Sequence, residues 1–254
     1  MKIFFIGSIQ FSEKILIHLI KIKANIKGVY TLKSSKNNSD HIDLTNICVK
    51  NNIPCKYTDN INSDESLDWI KSFEPDIIFC FGWSRLLKNE LLTLASLGVL
   101  GYHPTLLPAN RGRHPIIWSL VLGLDETAST FYFMDKDADS GNILSQYPIS
   151  IKMNDNANSL YNKLIITAIK QINEFLPNLE SNNYDCIIQD HSKANYWRKR
   201  EIKDGQIDWR MTAQAIYNLV RGLSKPYPGA HFLFKGKNIK VLETKIVSDN
   251  KKNI

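Results

Sequence analysis

Residues 101–115, Gly-Tyr-His-Pro-Thr-Leu-Leu-Pro-Ala-Asn-Arg-Gly-Arg-His-Pro, break an otherwise regular sequence. Three prolines and two glycines in so short a stretch exclude a regular helix or a central strand, because proline has no amide hydrogen to donate and glycine loosens the backbone. Yet the stretch lies between the apolar run Leu97-Gly98-Val99-Leu100 and the helical spacing of Ile116 to Leu122. An irregular segment between two core elements, carrying His103, Arg111, Arg113 and His114, reads as a stiffened strand-end loop that presents side chains to a ligand.

Working outward, Lys2 to Ile6 is a short apolar strand, and Phe11 to Ile22 repeats apolar residues at helical spacing. The alternation continues with a strand at Ile26–Leu32, a helix at Ile42–Lys50, a short strand at Ile53–Tyr57 and a helix at Ser63–Phe73. Pro75–Phe81 is a continuous apolar strand of the kind buried on both faces of a parallel sheet. A helix over Glu90–Leu97 precedes a strand at Gly98–Tyr102, and another helix spans His114–Gly123. Strands at Ala128–Met134 and Ile143–Ile151 and a long helix at Asn158–Leu179 complete the first unit. Such alternation predicts an α/β fold with a Rossmann-like, mostly parallel sheet, whose ligands bind beyond the carboxyl ends of the strands. Gly7-Ser8 lacks the GxGxxG pattern, so dinucleotide binding at the first turn is not supported.

This reading divides the chain into a catalytic domain over 1–180, a small C-terminal α+β domain over 181–247 and a flexible tail over 248–254. The second unit holds a helix at Thr212–Leu223 and a hairpin formed by His231–Phe234 and Asn238–Lys245, an aromatic element suited to a homodimer contact. With 43% hydrophobic and 22% charged residues the chain is an ordinary globular protein. Its net charge of +7 suits anionic partners, but no dense basic arm or helix singles out nucleic acid. Four cysteines without CxxC pairs point to a reduced, cytoplasmic protein without zinc or another metal. The apolar run at the N-terminus is too brief for a signal segment or a membrane span.

His103 at one strand end and Asp139 in the loop after another can point into one crevice, a pair suited to proton transfer. A surface histidine and a turn aspartate are the alternative on spacing alone.

Three patterns, H-P-T-L-L-P-x-N-R-G at 103–112, D-x-x-A-D-S-G-x-I-L-x-Q at 135–146 and D-G-x-I-D-W at 204–209, together resemble the formyltransferases that use N10-formyltetrahydrofolate. The resemblance runs from Met1 to about Val247. It implies transfer of a formyl group to a primary amine, with His103 and Asp139 around the formyl carbon. The asparagine of that family's triad would stand at Gly101, so a backbone N–H near Gly101, His103 alone, or Asn110 is expected to replace it. The folate loop of the family falls on Phe81, Gly82, Trp83, Arg85, Leu86 and Leu87, joined by Asp135; Trp83 reads equally as core. Ser8, Tyr102, Pro104, Thr105, Arg111, Gly112, Arg113, Lys199 and Arg200 are the expected substrate contacts, with the arginines and Lys199 facing phosphate.

Of the family's branches, the one acting on a small purine-pathway amine stops near residue 200, and the one acting on initiator methionyl-tRNA carries a complete C-terminal barrel that about fifty residues after Trp197 are too few to build. The chain resembles best the branch that formylates nucleotide-linked amino sugars, with a UDP-linked 4-amino-4,6-dideoxy sugar as candidate. Methionyl-tRNA formylation is the runner-up, and a binding module that has lost catalysis is the third reading.

Overall fold

The computed structural model describes residues 1–35 and 38–247; the tail expected over 248–254 lies outside them. Strands Ile3–Ile6 (β1), Ile26–Thr31 (β2), Cys55–Tyr57 (β3), Ile77–Cys80 (β4) and Val99–His103 (β5) run parallel. A two-residue strand, Arg111–Gly112 (β6), lies apart from them. Glu126–Phe133 (β7) and Ile143–Ser150 (β8) complete a seven-stranded sheet in the order β3-β2-β1-β4-β5-β7-β8, with β7 antiparallel to both neighbours.

The helices are α1 (Gln10–Lys21), α2 (Thr45–Lys50), α3 (Asp64–Lys71), α4 (Asn89–Leu92), α5 (Pro115–Val121), α6 (Ala157–Glu180) and α7 (Ala213–Gly222). The continuous apolar runs of β1 and β4 are explained by burial on both faces. Ile3, Phe5, Ile77 and Phe79 face α1, α2 and α6, while Phe4, Ile6, Ile78 and Cys80 face α3 and α4. Helix α6 contributes Leu160, Leu164, Ala168, Ile172, Phe175 and Leu179, a stripe at the three- and four-residue spacing of one helix face. Its start is fixed by Asn156, whose side chain accepts the Ser159 amide hydrogen at 3.0 Å.

Chain order reverses between β1 and β4, so the turns after these two strands diverge and leave a crevice at their carboxyl ends. The mostly parallel sheet read from the sequence is present. The helix expected over Glu90–Leu97 is shorter, a single turn ending at Leu92. There the Thr93 hydroxyl donates to the Asn89 carbonyl at 2.9 Å, an alternative to continuing the helix.

Beyond α6 the chain crosses back. Tyr196–Trp197 (β9) pairs with β6, and Ala230–Phe234 (β10) forms a hairpin with Lys237–Val241 (β11). Ladder pairing ends at Val241 opposite Ala230, which is why the last strand is shorter than its expected reach to Lys245. Leu219, Val220 and Leu223 of the α7 region pack on Ile117 of α5. Arg221 clasps α7 to the turn between β8 and α6: it is buried, and its Nη1 donates to the carbonyls of Lys152 at 3.1 Å and Asp155 at 3.0 Å. Removing it leaves buried carbonyls without partners. Arg221→Ala is expected to lower the unfolding free energy by about 3 kcal/mol, read from the urea midpoint at unchanged slope.

Candidate active site

A cavity of about 1430 Å³ opens at the carboxyl ends of β1, β4 and β5. Single-ligand pockets commonly measure roughly 300–1,000 Å³, so this one has room for two substrates side by side. One wall is the loop after β4, and His103, Gly112 and Asp139 form the floor. Residues 199–203 and 227–229 of the C-terminal unit close the far side.

His103 is the last residue of β5 and is 5% exposed. Its Nε2 lies 2.9 Å from the Asn110 carbonyl, which fixes the hydrogen on that nitrogen. Nδ1 is therefore the ring atom left for a ligand, and it faces Asp139 Oδ2 at 3.6 Å. Asp139 sits in the left-handed backbone region, φ 57°, a conformation that aspartate tolerates better than most residues. Its Oδ2 accepts the Gly112 amide hydrogen at 2.8 Å and its Oδ1 accepts the Tyr132 hydroxyl at 2.8 Å.

The two loops that carry these residues are locked from behind. Arg111 is 2% exposed, and its Nη2 donates to Gln189 Oε1 at 2.6 Å while Nη1 donates to the Tyr196 hydroxyl at 3.0 Å. Gln189 in turn donates to the carbonyls of Asp139, at 3.0 Å, and Gly141, at 2.6 Å. Two glycines are demanded by close approach. Gly112 has φ 105° and a side chain there would meet the Trp197 carbonyl oxygen at 2.3 Å; one at Gly141 would meet the Phe133 carbonyl oxygen at 1.8 Å.

Most of the residues singled out in the sequence converge on this cavity. Gly82, Trp83, Arg85, Leu86, Leu87 and Asp135 line it, as do Tyr102, His103, Pro104, Gly112, Arg113, Asp139, Lys199 and Arg200. Five do not. Phe81 is wholly buried in an aromatic cluster with Phe5, Phe11, Phe79 and Phe131, so it supports the loop after β4 from below. Ser8 is buried behind the β1 turn, where its carbonyl accepts the Ile42 amide hydrogen. Thr105 donates to the Ala109 carbonyl at 3.0 Å and stiffens its own loop. Arg111 is consumed by Gln189 and Tyr196, so it is a brace and not a phosphate ligand. Asn110 acts through its carbonyl on His103, and its side-chain oxygen accepts from Asn195 at 3.0 Å, which turns the amide away from the cavity.

Sequence reading overlooked Tyr132 and Gln189. A tyrosine between two phenylalanines in a buried strand was the available signal for the first; nothing local marks Gln189, whose partners lie 48 and 78 residues away.

The chain belongs to the formyl transferase family: that family's pattern matches residues 1–174, and its C-terminal domain matches residues 200–254. It is a formyltransferase by descent. It is 39% identical over 198 residues to the bifunctional polymyxin resistance protein ArnA of Wigglesworthia glossinidia brevipalpis, a match covering 78% of this chain but only 30% of that longer relative. It is 33% identical over 256 residues to the methionyl-tRNA formyltransferase of Staphylococcus epidermidis, covering 99% of this chain and 82% of the relative. Among solved structures, a sugar N-formyltransferase from Shewanella sp FDAARGOS_354 superposes with a TM-score of 0.77 at 18% identity, over 98% of this chain and 99% of that one. An N-formyltransferase from Helicobacter canadensis, in complex with folinic acid and dTDP-3-aminofucose, does so with a TM-score of 0.72 at 19% identity, over 95% and 86%. These two likenesses establish the shared fold.

The cationic end of the cavity carries a titration signature. His114 caps α5 with φ 57°, and its Nδ1 accepts the Arg200 amide hydrogen at 3.1 Å. Burial, then the charges of Arg113, Arg200 and Lys199, push its imidazole down to about 4. An unfolded chain takes up this proton near 6.5 while the folded one resists, so stability contributed by neutral His114 is lost as pH falls from about 6.5 through about 4. His114→Asn keeps the left-handed backbone and an acceptor. It is expected to flatten the decline of unfolding free energy across that window, measured by urea titration at successive pH values.

Proposed function

We propose that this chain transfers a formyl group from N10-formyltetrahydrofolate to the primary amine of a nucleotide-linked amino sugar. The observation that carries the reading is convergence: Arg113, Lys199 and Arg200 line the same cavity as His103 and Asp139. Lys199 is exposed and has no ion-pair partner among the described residues. Arg200 is buried: its guanidinium lies over the Trp118 ring at 4.6 Å and donates to the Asp204 carbonyl, so it contributes charge from within the wall. A diphosphate seated there would leave the sugar amine pointing toward the floor. The methionyl-tRNA reading has its own support, 33% identity along nearly the whole chain. A partly closed cavity lined by Arg113, Lys199 and Arg200 suits a small dianionic ligand better than the extended backbone of RNA.

The residues at the other end fit a folate. Cys80, Leu87, Leu92 and Met134 supply an apolar wall, and the buried Trp83 Nε1 is a donor with no partner among the described residues. Such a site would supply the activated one-carbon group. Gly82–Leu87 and Asp135 would hold its ring system, and Leu86, largely exposed, would cover it.

The chain's own groups then account for the proton traffic. Asp139 Oδ2 is placed to take the proton that the attacking amine must lose as the new C–N bond forms, and to return it to the nitrogen that leaves as the old formyl C–N bond breaks. With Nε2 held by the Asn110 carbonyl, a proton on His103 Nδ1 would donate toward the oxygen on which negative charge develops. The Gly112 amide keeps the carboxylate from swinging away.

Asp139→Asn is expected to lower kcat by about a thousandfold with folate binding retained. Arg113→Ala is expected to raise KM for the sugar nucleotide roughly tenfold at little cost in kcat. Both are read in a spectroscopic formyl-transfer assay against a panel of nucleotide-linked 3-amino and 4-amino sugars and methionyl-tRNA. Turnover confined to methionyl-tRNA would overturn the substrate class.

A further inference from the structure

Gly101 of β5 faces Tyr132 of β7 across the ladder. A side chain at 101 would meet Met134 Cγ at 2.8 Å and Tyr132 Cζ at 3.0 Å, so the tyrosine ring occupies the volume that residue 101 leaves empty. Its hydroxyl ends on Asp139 Oδ1 at 2.8 Å, at the floor of the cavity it lines. Burial and the adjacent carboxylate hold the Tyr132 phenol well above its ordinary value, so the group stays a donor at any working pH.

We propose that Tyr132 is the positioning residue of the reaction centre, holding the Asp139 carboxylate from the volume that Gly101 leaves open on β5. The proposal rests on formyl transfer as the reaction of this site. Asp139 has two oxygens, and each is held by one donor: Gly112 N–H on Oδ2 and the Tyr132 hydroxyl on Oδ1. With Oδ1 fixed, the carboxylate cannot rotate about its terminal bond, and Oδ2 keeps its 3.6 Å relation to His103 Nδ1. The effect is on orientation, which appears in kcat and not in substrate affinity. Leu107 and Ile143 pack with the Tyr132 ring, so the hydroxyl is carried by a rigid support.

Tyr132→Phe preserves the ring and its packing. It is expected to lower kcat on the order of 10- to 100-fold, with KM for both substrates within about twofold and the melting temperature nearly unchanged. Gly101→Asn alone is expected to lose activity, because its side chain must displace the tyrosine ring. Gly101→Asn/Tyr132→Val frees that volume and places an amide on β5 within it, and should recover at least about tenfold in kcat over Tyr132→Val alone. Unchanged kcat in Tyr132→Phe, or a loss confined to KM, overturns the proposal. If Tyr132→Phe melts instead, the double variant decides, and failure to recover activity overturns it. Should the wild type transfer formyl to none of the amines tested, the reaction reading itself has failed. The crystal structures of wild type and Tyr132→Phe then decide on Asp139 alone: a rotated carboxylate is expected, and an unmoved one overturns the assignment.

Discussion

The Gly112 amide hydrogen on the Asp139 carboxylate, 2.8 Å long, is the contact on which the rest of the site depends. It joins the loop after β5 to the loop after β7, two segments with no ladder between them. A charge-assisted bond of this kind is among the stronger polar contacts a protein makes, and inside a partly closed cavity water competes poorly for it. His103, the β6–β9 pairing and the mouth of the cavity all take their positions from the two loops it connects.

Around that bond the protein spends its buried polar groups on geometry. Arg111, a large cation 2% exposed, faces no carboxylate among the described residues; it spans Gln189 and Tyr196 and so anchors the histidine loop to the C-terminal crossing. Gln189 passes the constraint on to the carbonyls on either side of Ser140. Left unpaired, any of these buried groups would cost a desolvation penalty of about 1–3 kcal/mol, so the network tolerates few alternative arrangements. The result is a rigid floor beneath a wide cavity.

The C-terminal unit takes part in the site. Residues 199–203 and 227–229 form a wall, and α7 is fastened to the main sheet by the packing of Leu219, Val220 and Leu223 on Ile117 and by Arg221. A boundary drawn near residue 180 therefore separates two sequence regions that share one cavity. Trp118 shows the same sharing, since its indole Nε1 donates to the Arg198 carbonyl while Arg198 and Arg200 both lie over its ring.

By itself the sequence determined the parallel core and the place of the crevice, and it offered His103 and Asp139 beside an alternative that the fold removes by bringing them within 3.6 Å. These follow from local rules: apolar runs of strand length, helical spacing, and prolines and glycines that permit only a loop. Local rules also misassigned Arg111, because an arginine in a loop beside glycines looks the same whether it faces phosphate or a buried glutamine 78 residues away. Ser8, Thr105, Phe81 and Asn110 failed as ligand contacts for the same reason: which way a side chain turns depends on partners distant in the chain. Tertiary structure alone decided that a tyrosine on β7 fills the space beside Gly101, since only the strand register brings those two residues face to face.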